Sequence, residues 1–555
     1  MLLAFSSIFV SLVGALTMRR QWLISRRFHF ASPVDMYAQY FHSRSLTLTY
    51  LLFAWLFAAA FVIFYLYVAS ALFVRLSHGL LIFEQAVCLF GALLLVQSVV
   101  GGLRAVIQAG PLQWFLMIAG MLTLAVLGVY LSGGADSFVM KLSQLALIDK
   151  SFTAEGYSHY LAVDGLVPGL VSWVNLDLSH SLSSLVILAC VATLAGFQIS
   201  PALSFLAFAN RTPKAFDLQQ IGLSAGIGGL ITWACIMSIA MGAHFLGANN
   251  DFSAKYGIPE YILFGYVKDF QLEGGNTDLF SLIDPFITFS TDVKSWFSGF
   301  FFVAIIAGLH ACASLFLFTA AVMSAQKVSQ LTSRTFRKTQ RITFFVMGAT
   351  VLLAALIYLT ILDVINIKGL LFFALIINFQ LLPALIAVCW WPFVTTLSIK
   401  IGLGVGSLLC VLAYVGYFFI DQVNIELYLL GGGFVAGMVN FLLVLLFSFA
   451  VRNNDNHVQK MEFQNAVNAG QCEQRFSQSL VPLIWVVATL WCFFAVGPGG
   501  IIGNTLFGDP MNLDSWVLGI PSLLVWKLLW WAFGLFLIGL VIYRIRDLRA
   551  EISES

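Results

Sequence analysis

The chain has 555 residues, 60% of them hydrophobic and 10% charged, with 52 phenylalanines and a formal net charge of +2. A fold bathed in water needs more polar cover than this composition supplies, and with its basic residues confined to short connections the chain offers no nucleic-acid surface. Eight cysteines lie scattered, without CxxC or metal spacing, which argues against both zinc and a disulfide framework.

Taken in chain order, thirteen apolar runs are each long enough to cross a hydrocarbon core of about 30 Å. They fall near 2–18, 47–74, 80–100, 113–132, 182–206, 219–247, 297–325, 342–362, 369–391, 401–420, 427–450, 479–499 and 523–543. The predicted fold class is an all-α polytopic membrane protein of about 13 transmembrane helices. Two polar connections, 133–181 and 248–296, are expected to carry small surface helices, and 256–270 reads as amphipathic and interfacial. The connection 451–478 is polar, long enough to meet a partner, and expected to be solvated.

Orientation follows from Lys and Arg. With the N-terminus outside, 20 of the 28 basic residues fall on the inner side, so the C-terminus is expected in the cytoplasm. Met1 opens directly on an apolar run whose Arg cluster follows it, the reverse of a secretory leader. Earlier helices are therefore expected to be missing from this chain.

Polar groups inside the apolar runs are the candidate functional positions. Glu84 and Gln85 read as interfacial, near the outer end of their run. In "LAGFQISPALSF" (194–205), Gly196 and Pro201 weaken the helix ladder around Gln198 and Ser200. Such a break is tolerated in lipid only where the freed backbone is buried or lines a cavity; a packing kink is the alternative. In "AGLHACASLFLFTAA" (307–321), Ala307, Ala311 and Ser314 recur at i, i+4 and i+7, a face that lets helices touch closely. His310, one position from that face, is either a proton-handling group or a core histidine bonded to a neighbouring helix. Gln380 and Pro383 repeat the polar-then-proline pattern, for which a packing kink suffices. With no P-loop, nucleophile motif, paired carboxylates or HExxH-like pair, an enzyme has no foothold.

Several stretches resemble the sodium/solute symporter family over essentially the whole chain. "VVGGLRAVIQAGPLQWFLMIAG" (99–120) is similar to that family's GGLxAVxxTDxxQ segment. "GFQISPALSFLAFANRTPKAFDLQQIGLSAGIG" (196–228), "AGLHACASLFLFTAAVMSAQKV" (307–328), "FQLLPALIAVCWWP" (379–392) and "GPGGIIGNTLFGDP" (497–510) resemble a bacterial branch of it.

The resemblance implies an inverted-repeat fold of the LeuT type. Residues 1–132 would supply core helices two to five, 133–181 an outer loop, 182–392 core helices six to ten and 393–555 additional helices, with the first core helix absent. It places substrate beside Gly196, Phe197, Gln198, Ser200 and Pro201, and half of a sodium site at Ala307, Gly308, Ala311 and Cys312. Sodium prefers oxygen ligands, which an alanine methyl and a thiol do not supply. Ala109 and Gly110 likewise replace the segment's Thr-Asp, and Pro111 is expected to alter the start of its helix. The coupling ion is thus Na+ or, through His310, H+; no other cofactor is expected.

Two functions fit. One is a secondary transporter of a small organic solute in the cell's inner membrane, completed by upstream helices or a partner chain. The other is a transporter-like membrane protein that no longer transports: a subunit, a sensory module or a truncated relic. Proline, carboxylates, sugars and pantothenate-like solutes are all compatible with the first.

Overall fold

In the computed structural model the regular elements among the described residues are helical, apart from an isolated bridge between Val517 and Ile520. The structure describes residues 2–148, 162–163, 184–235, 238, 295–332, 341–353, 356, 367–417, 425–451, 460–465 and 475–546, less a few positions within those ranges. In order the helices are α1 (Leu2–Phe28), α2 (Pro33–Phe41), α3 (Arg44–Leu76), α4 (Phe83–Leu95), α5 (Gly102–Leu131), α6 (Ala135–Ile148), α7 (Ser184–Leu194), α8 (Gly196–Ile199) and α9 (Pro201–Ala209). After them come α10 (Ser295–Thr332), α11 (Arg341–Leu353), α12 (Ile367–Phe379), α13 (Leu382–Cys389), α14 (Thr396–Tyr417), α15 (Ile425–Ala450), α16 (Arg475–Trp491) and α17 (Ser522–Arg546).

Among the described residues eight helices are long and apolar enough to cross a membrane. Two more spans are bent pairs: Val186–Ile199 with Pro201–Ala209, at 47°, and Leu480–Val496 with Pro498–Asn504, at 57°. These account for ten of the thirteen expected runs. About half of 219–247, most of the second half of 342–362 and all of 256–270 lie outside the described residues. The run 2–18 begins α1, which continues to Phe28 and is not among the spans that pass by length and apolarity. The helix outlasts the apolar run because Arg19, Arg20 and Gln21 are good helix formers whose polarity ends a membrane crossing without ending the ladder. The expected start at 113 also moves, to Gly102, so α5 carries Pro111 in its interior.

The helices form two compact units, each built from separated stretches of sequence. Unit 1 comprises Met1–Tyr50, Val139–Leu230 and Leu375–Ser555; unit 2 comprises Leu51–Phe138 and Ile231–Ala374. The core of unit 1 joins α1, α7, α16 and α17 through Phe5, Ile8, Val191, Trp491, Leu537 and Ile538. Trp491 is fully buried and its indole donates to the Trp530 carbonyl at 3.0 Å. Gly534 makes room, since a methyl there would lie 2.6 Å from Trp491 Nε1 and 2.8 Å from Ile8. The core of unit 2 packs Val62, Leu66 and Ala69 of α3 against Phe90 and Leu94 of α4 and Ala313 and Leu317 of α10.

Breaking a helix in an apolar interior strands its last carbonyls, and unit 1 answers this three times with donors from elsewhere in the chain. Asn210, closing α9, accepts Trp22 Nε1 at 3.1 Å and an Arg26 guanidinium N–H at 2.7 Å. At the end of α13, the Cys389 carbonyl takes Arg20 at 2.6 Å and Val388 takes the Gln464 amide at 2.5 Å. Past α16, in the π-helical turn Cys492–Val496, Phe494 accepts Trp526 and Ala495 accepts Lys527 Nζ at 2.7 Å. Cations at helix C-termini also meet the negative end of the helix dipole.

Gln464 belongs to the connection expected to be solvated, and the structure corrects that expectation for residues 460–465. Lys460, Phe463 and Gln464 are buried, and Phe463 stacks on Phe28 with ring centroids 4.3 Å apart. Lys460 Nζ donates to the Val394 carbonyl at 3.0 Å. A single aromatic among polar neighbours hides this docking from a composition-based reading.

Candidate functional site

The break expected at residues 196–201 is present in unit 1. α8 ends at Ser200, whose φ of −53° and ψ of 145° leave the helical region, and α9 restarts with Pro201 in its first turn. Ser200 caps α9, its hydroxyl accepting from the Leu203 N–H at 3.5 Å, and it is fully buried. Gly196 lets α8 approach α12: a Cβ there would stand 2.3 Å from the Leu375 carbonyl oxygen and 3.1 Å from the Phe379 nitrogen. Gly196, Ser200 and Pro201 thus shape the break, while Phe197 and Gln198 are half-buried beside it. The Gln198 side chain lies over Gly14 of α1, and its Nε2 meets Met18 Sδ at 3.0 Å. Its amide oxygen has no hydrogen-bond partner among the described residues.

The second break, at Gln380 between α12 and α13, is closed. Gln380 Nε2 donates to the Ile376 and Gly433 carbonyls at 3.2 and 3.4 Å, and Asn440 Nδ2 donates to the Gln380 carbonyl at 2.8 Å. With the side chain engaged by α15, this position is a packing kink.

In unit 2, α10 carries the small residues singled out in the sequence. Ala307, Gly308 and Ala311 are buried and Cys312 is half-buried. The face that touches α5 is that of Ala304 and Gly308, set against Gly120 and Met117. Ser314 turns its hydroxyl to the Ala311 carbonyl at 3.1 Å. Helix α10 is continuous past these positions, so at Ala311 and Cys312 the chain offers an ion no side-chain oxygen. Among the described residues no group of three or more His, Cys, Asp or Glu could hold a metal ion.

His310 does not stand alone. Its Nδ1 pairs with the Tyr65 hydroxyl of α3 at 2.8 Å and its Nε2 pairs with Gln97 Oε1. Tyr65 meets the imidazole edge-on, with centroids 5.0 Å apart. Gln97 reaches in from a π-helical turn, Val96–Val100, that follows α4. Such a turn inserts a residue into the helix, shifts the side chains after it and recurs at functional sites. Gly101 and Gly102 end it: a Cβ on Gly101 would stand 2.3 Å from that of Ala105, and Gly102 has a φ of +62°. These glycines, rather than Pro111, set where α5 starts. Sequence reading passed over Tyr65 and Gln97, though a lone glutamine in "LLLVQSVV" (93–100) is the kind of intramembrane polar residue that marks a site.

Residues 7–195 match the sequence profile of the sodium:solute symporter family. No curated protein matches the chain. Among solved structures 28 chains match. One, described as the substrate-bound outward-open state of a Na+-coupled sialic acid symporter, superposes with a TM-score of 0.54 at 15% identity, covering 81% of this chain and 89% of that one. The all-helical, LeuT-type fold implied by the resemblance is therefore the fold of this chain.

Proposed function

We propose, from the match of residues 7–195 to the sodium:solute symporter family, that this chain is a transporter of that kind, moving a small organic solute across a membrane by alternating access. The observation that carries this reading is the broken helix α8–α9. Its Ser200–Pro201 break is buried in unit 1, and Phe197 and Gln198, the latter with its amide oxygen unengaged among the described residues, precede it half-buried in the same short helix. Broken helices near the midplane are where secondary transporters hold solutes. The interleaving of the units supports an inverted repeat divided at 1–132 and 182–392, because unit 2 takes one stretch from each half.

The topology proposed is multi-pass in the inner membrane, N-terminus outside and C-terminus in the cytoplasm. Two contacts support it. The segments expected inside meet at Arg20 and Gln464, and the segments expected outside meet where Asn504 exchanges hydrogen bonds with Val163 at 2.9 and 3.0 Å.

The test is uptake by proteoliposomes of a panel of radiolabelled amino acids, carboxylates and sugars, with and without a sodium gradient. Accumulation of one member that persists without sodium is expected, because Ala311 and Cys312 lack oxygen ligands. Uptake that stops when sodium is removed contradicts the sodium-free reading; no uptake and no binding of any member contradicts transport. The alternative, a family member that no longer transports, draws on the same two positions and predicts that second outcome.

A further inference from the structure

We propose that His310, Tyr65 and Gln97 form a proton-binding site within unit 2 that takes the role of coupling-ion site; the coupling role rests on the transport reading above.

The geometry is that of a ring prepared for two protonation states. In the neutral imidazole one nitrogen donates and the other accepts; in the cation both donate. Gln97 Oε1 only accepts, so it takes the Nε2 proton in either state. The Tyr65 hydroxyl, 2.8 Å from Nδ1, donates to the neutral ring and accepts from the charged one. Binding the proton at Nδ1 therefore asks only that the Tyr65 hydroxyl hydrogen turn away from the ring, and release reverses that turn. No other bond changes. A charge is tolerated in an apolar interior only where its N–H groups find acceptors, and this pair of partners meets that requirement.

Among the described residues the surroundings supply no competitor. Against His310, α3 presents Tyr65, the turn after α4 presents Gln97, and α5 presents the apolar or small Met117 and Gly120 opposite Gly308 and Ala304. Cys312 is the nearest titratable group on α10 itself. Glu84 and Arg104, the charged residues of α4 and α5 in this part of the chain, are exposed. The ring is 9% exposed, and the core around it is built from Leu66, Phe90, Leu94 and Ala313.

A second observation is independent of the histidine. Gln97 Nε2 and the hydroxyl of Ser98, its neighbour in the π-helical turn, are both buried without a partner among the described residues. Unpaired buried donors cost free energy and call for an explanation. A turn that strands two polar groups in order to aim one amide oxygen at an imidazole is explained by use of that imidazole.

The test is a pH titration of the full-length chain in lipid nanodiscs, with histidine rings labelled with nitrogen-15 and the His310 resonance identified by its loss in His310→Gln. The expected result is conversion to the imidazolium pattern between pH 8 and 4. In Tyr65→Phe and Gln97→Leu the midpoint should fall by about one pH unit or more, since each variant removes an acceptor of the charged ring. A resonance that stays neutral throughout while other histidines titrate overturns the proposal, as does a midpoint unmoved in both variants. In proteoliposomes, accumulation of a solute that ignores an imposed pH gradient overturns the coupling role and leaves transport standing. A titrating site in a chain that moves no solute removes the transport reading and leaves the proton site.

Discussion

Glycine 196 and glycine 308 pose the same question with opposite answers. At both, a Cβ would meet an atom 2.3 Å away. At Gly196 that atom is the Leu375 backbone oxygen, which moves only with α12; at Gly308 it is Met117 Sδ, the mobile end of a flexible side chain. Gly196→Ala should therefore destabilise by about 1–3 kcal/mol, the range for overpacked sites, while Gly308→Ala should cost less than about 1 kcal/mol. Denaturant unfolding of the two variants in matched detergent checks this, and equal losses would contradict it. The family resemblance reads both glycines as parts of binding sites. Packing explains both without a ligand, and the residue left beside the break with an open polar atom is Gln198.

At the scale of elements, three helix ends in unit 1 are closed by side chains far away in sequence. α1 supplies Arg20, Trp22 and Arg26 for two of them, and α17 supplies Trp526 and Lys527 for the third. Arg20 also covers the Trp390 ring, its guanidinium carbon 3.6 Å from the ring centroid. Segment 460–465 completes this arrangement through Lys460, Phe463 and Gln464. Phe463→Ala removes the stack on Phe28 and the edge contact with Tyr40 at 5.2 Å. Local opening should then be easier by at least about 1.4 kcal/mol, a tenfold change in population. Tryptic cleavage at Lys460 should rise by about the same factor while the helical circular dichroism stays constant. Unchanged cleavage would mean that Lys460 and Gln464 hold the segment without the ring.

These elements also show how far sequence reading reaches. The apolar runs at 47–74, 297–325 and 427–450 reappear nearly unchanged as α3, α10 and α15. A run in lipid must satisfy its backbone internally, so length and apolarity alone dictate a helix. The break at Ser200 was legible because proline lacks the N–H that a ladder needs. The π-helical turn at Val96–Val100 was not, since any apolar sequence can host an inserted residue. What selects it is the contact Gln97 gains with α10. Lys527 was passed over for a similar reason: one lysine in "LLVWKLLWW" (523–531) reads as a residue near an interface until the bent span it caps is seen.

For the whole molecule, the proposed topology makes a prediction about sides. In a background with Cys88, Cys472 and Cys492 replaced, His29→Cys should react with an impermeant maleimide only in inside-out vesicles, and Asp514→Cys only in right-side-out cells. His29 and Asp514 are both exposed, so accessibility within the fold does not confound the readout. The reverse pattern would invert the topology.

Composition and run length, by themselves, determined that this is a multi-span membrane protein with an all-helical fold, because the bilayer admits few ways to bury a backbone. Short motifs pointed to the family that residues 7–195 match, and residue chemistry alone showed that Ala311 and Cys312 offer sodium no side-chain oxygen. The tertiary structure decided which stretches share a unit, since Leu51–Phe138 and Ile231–Ala374 join across an intervening stretch that belongs to unit 1. It also decided what each polar residue does. Gln380 and Gln97 are alike in sequence, each a glutamine in an apolar run, yet Gln380 is consumed by backbone carbonyls and Gln97 is aimed at a histidine 213 positions away. Hydrogen bonds in an apolar interior are set by which groups are brought within about 3 Å, and that distance is a property of packing, which no local stretch of sequence carries.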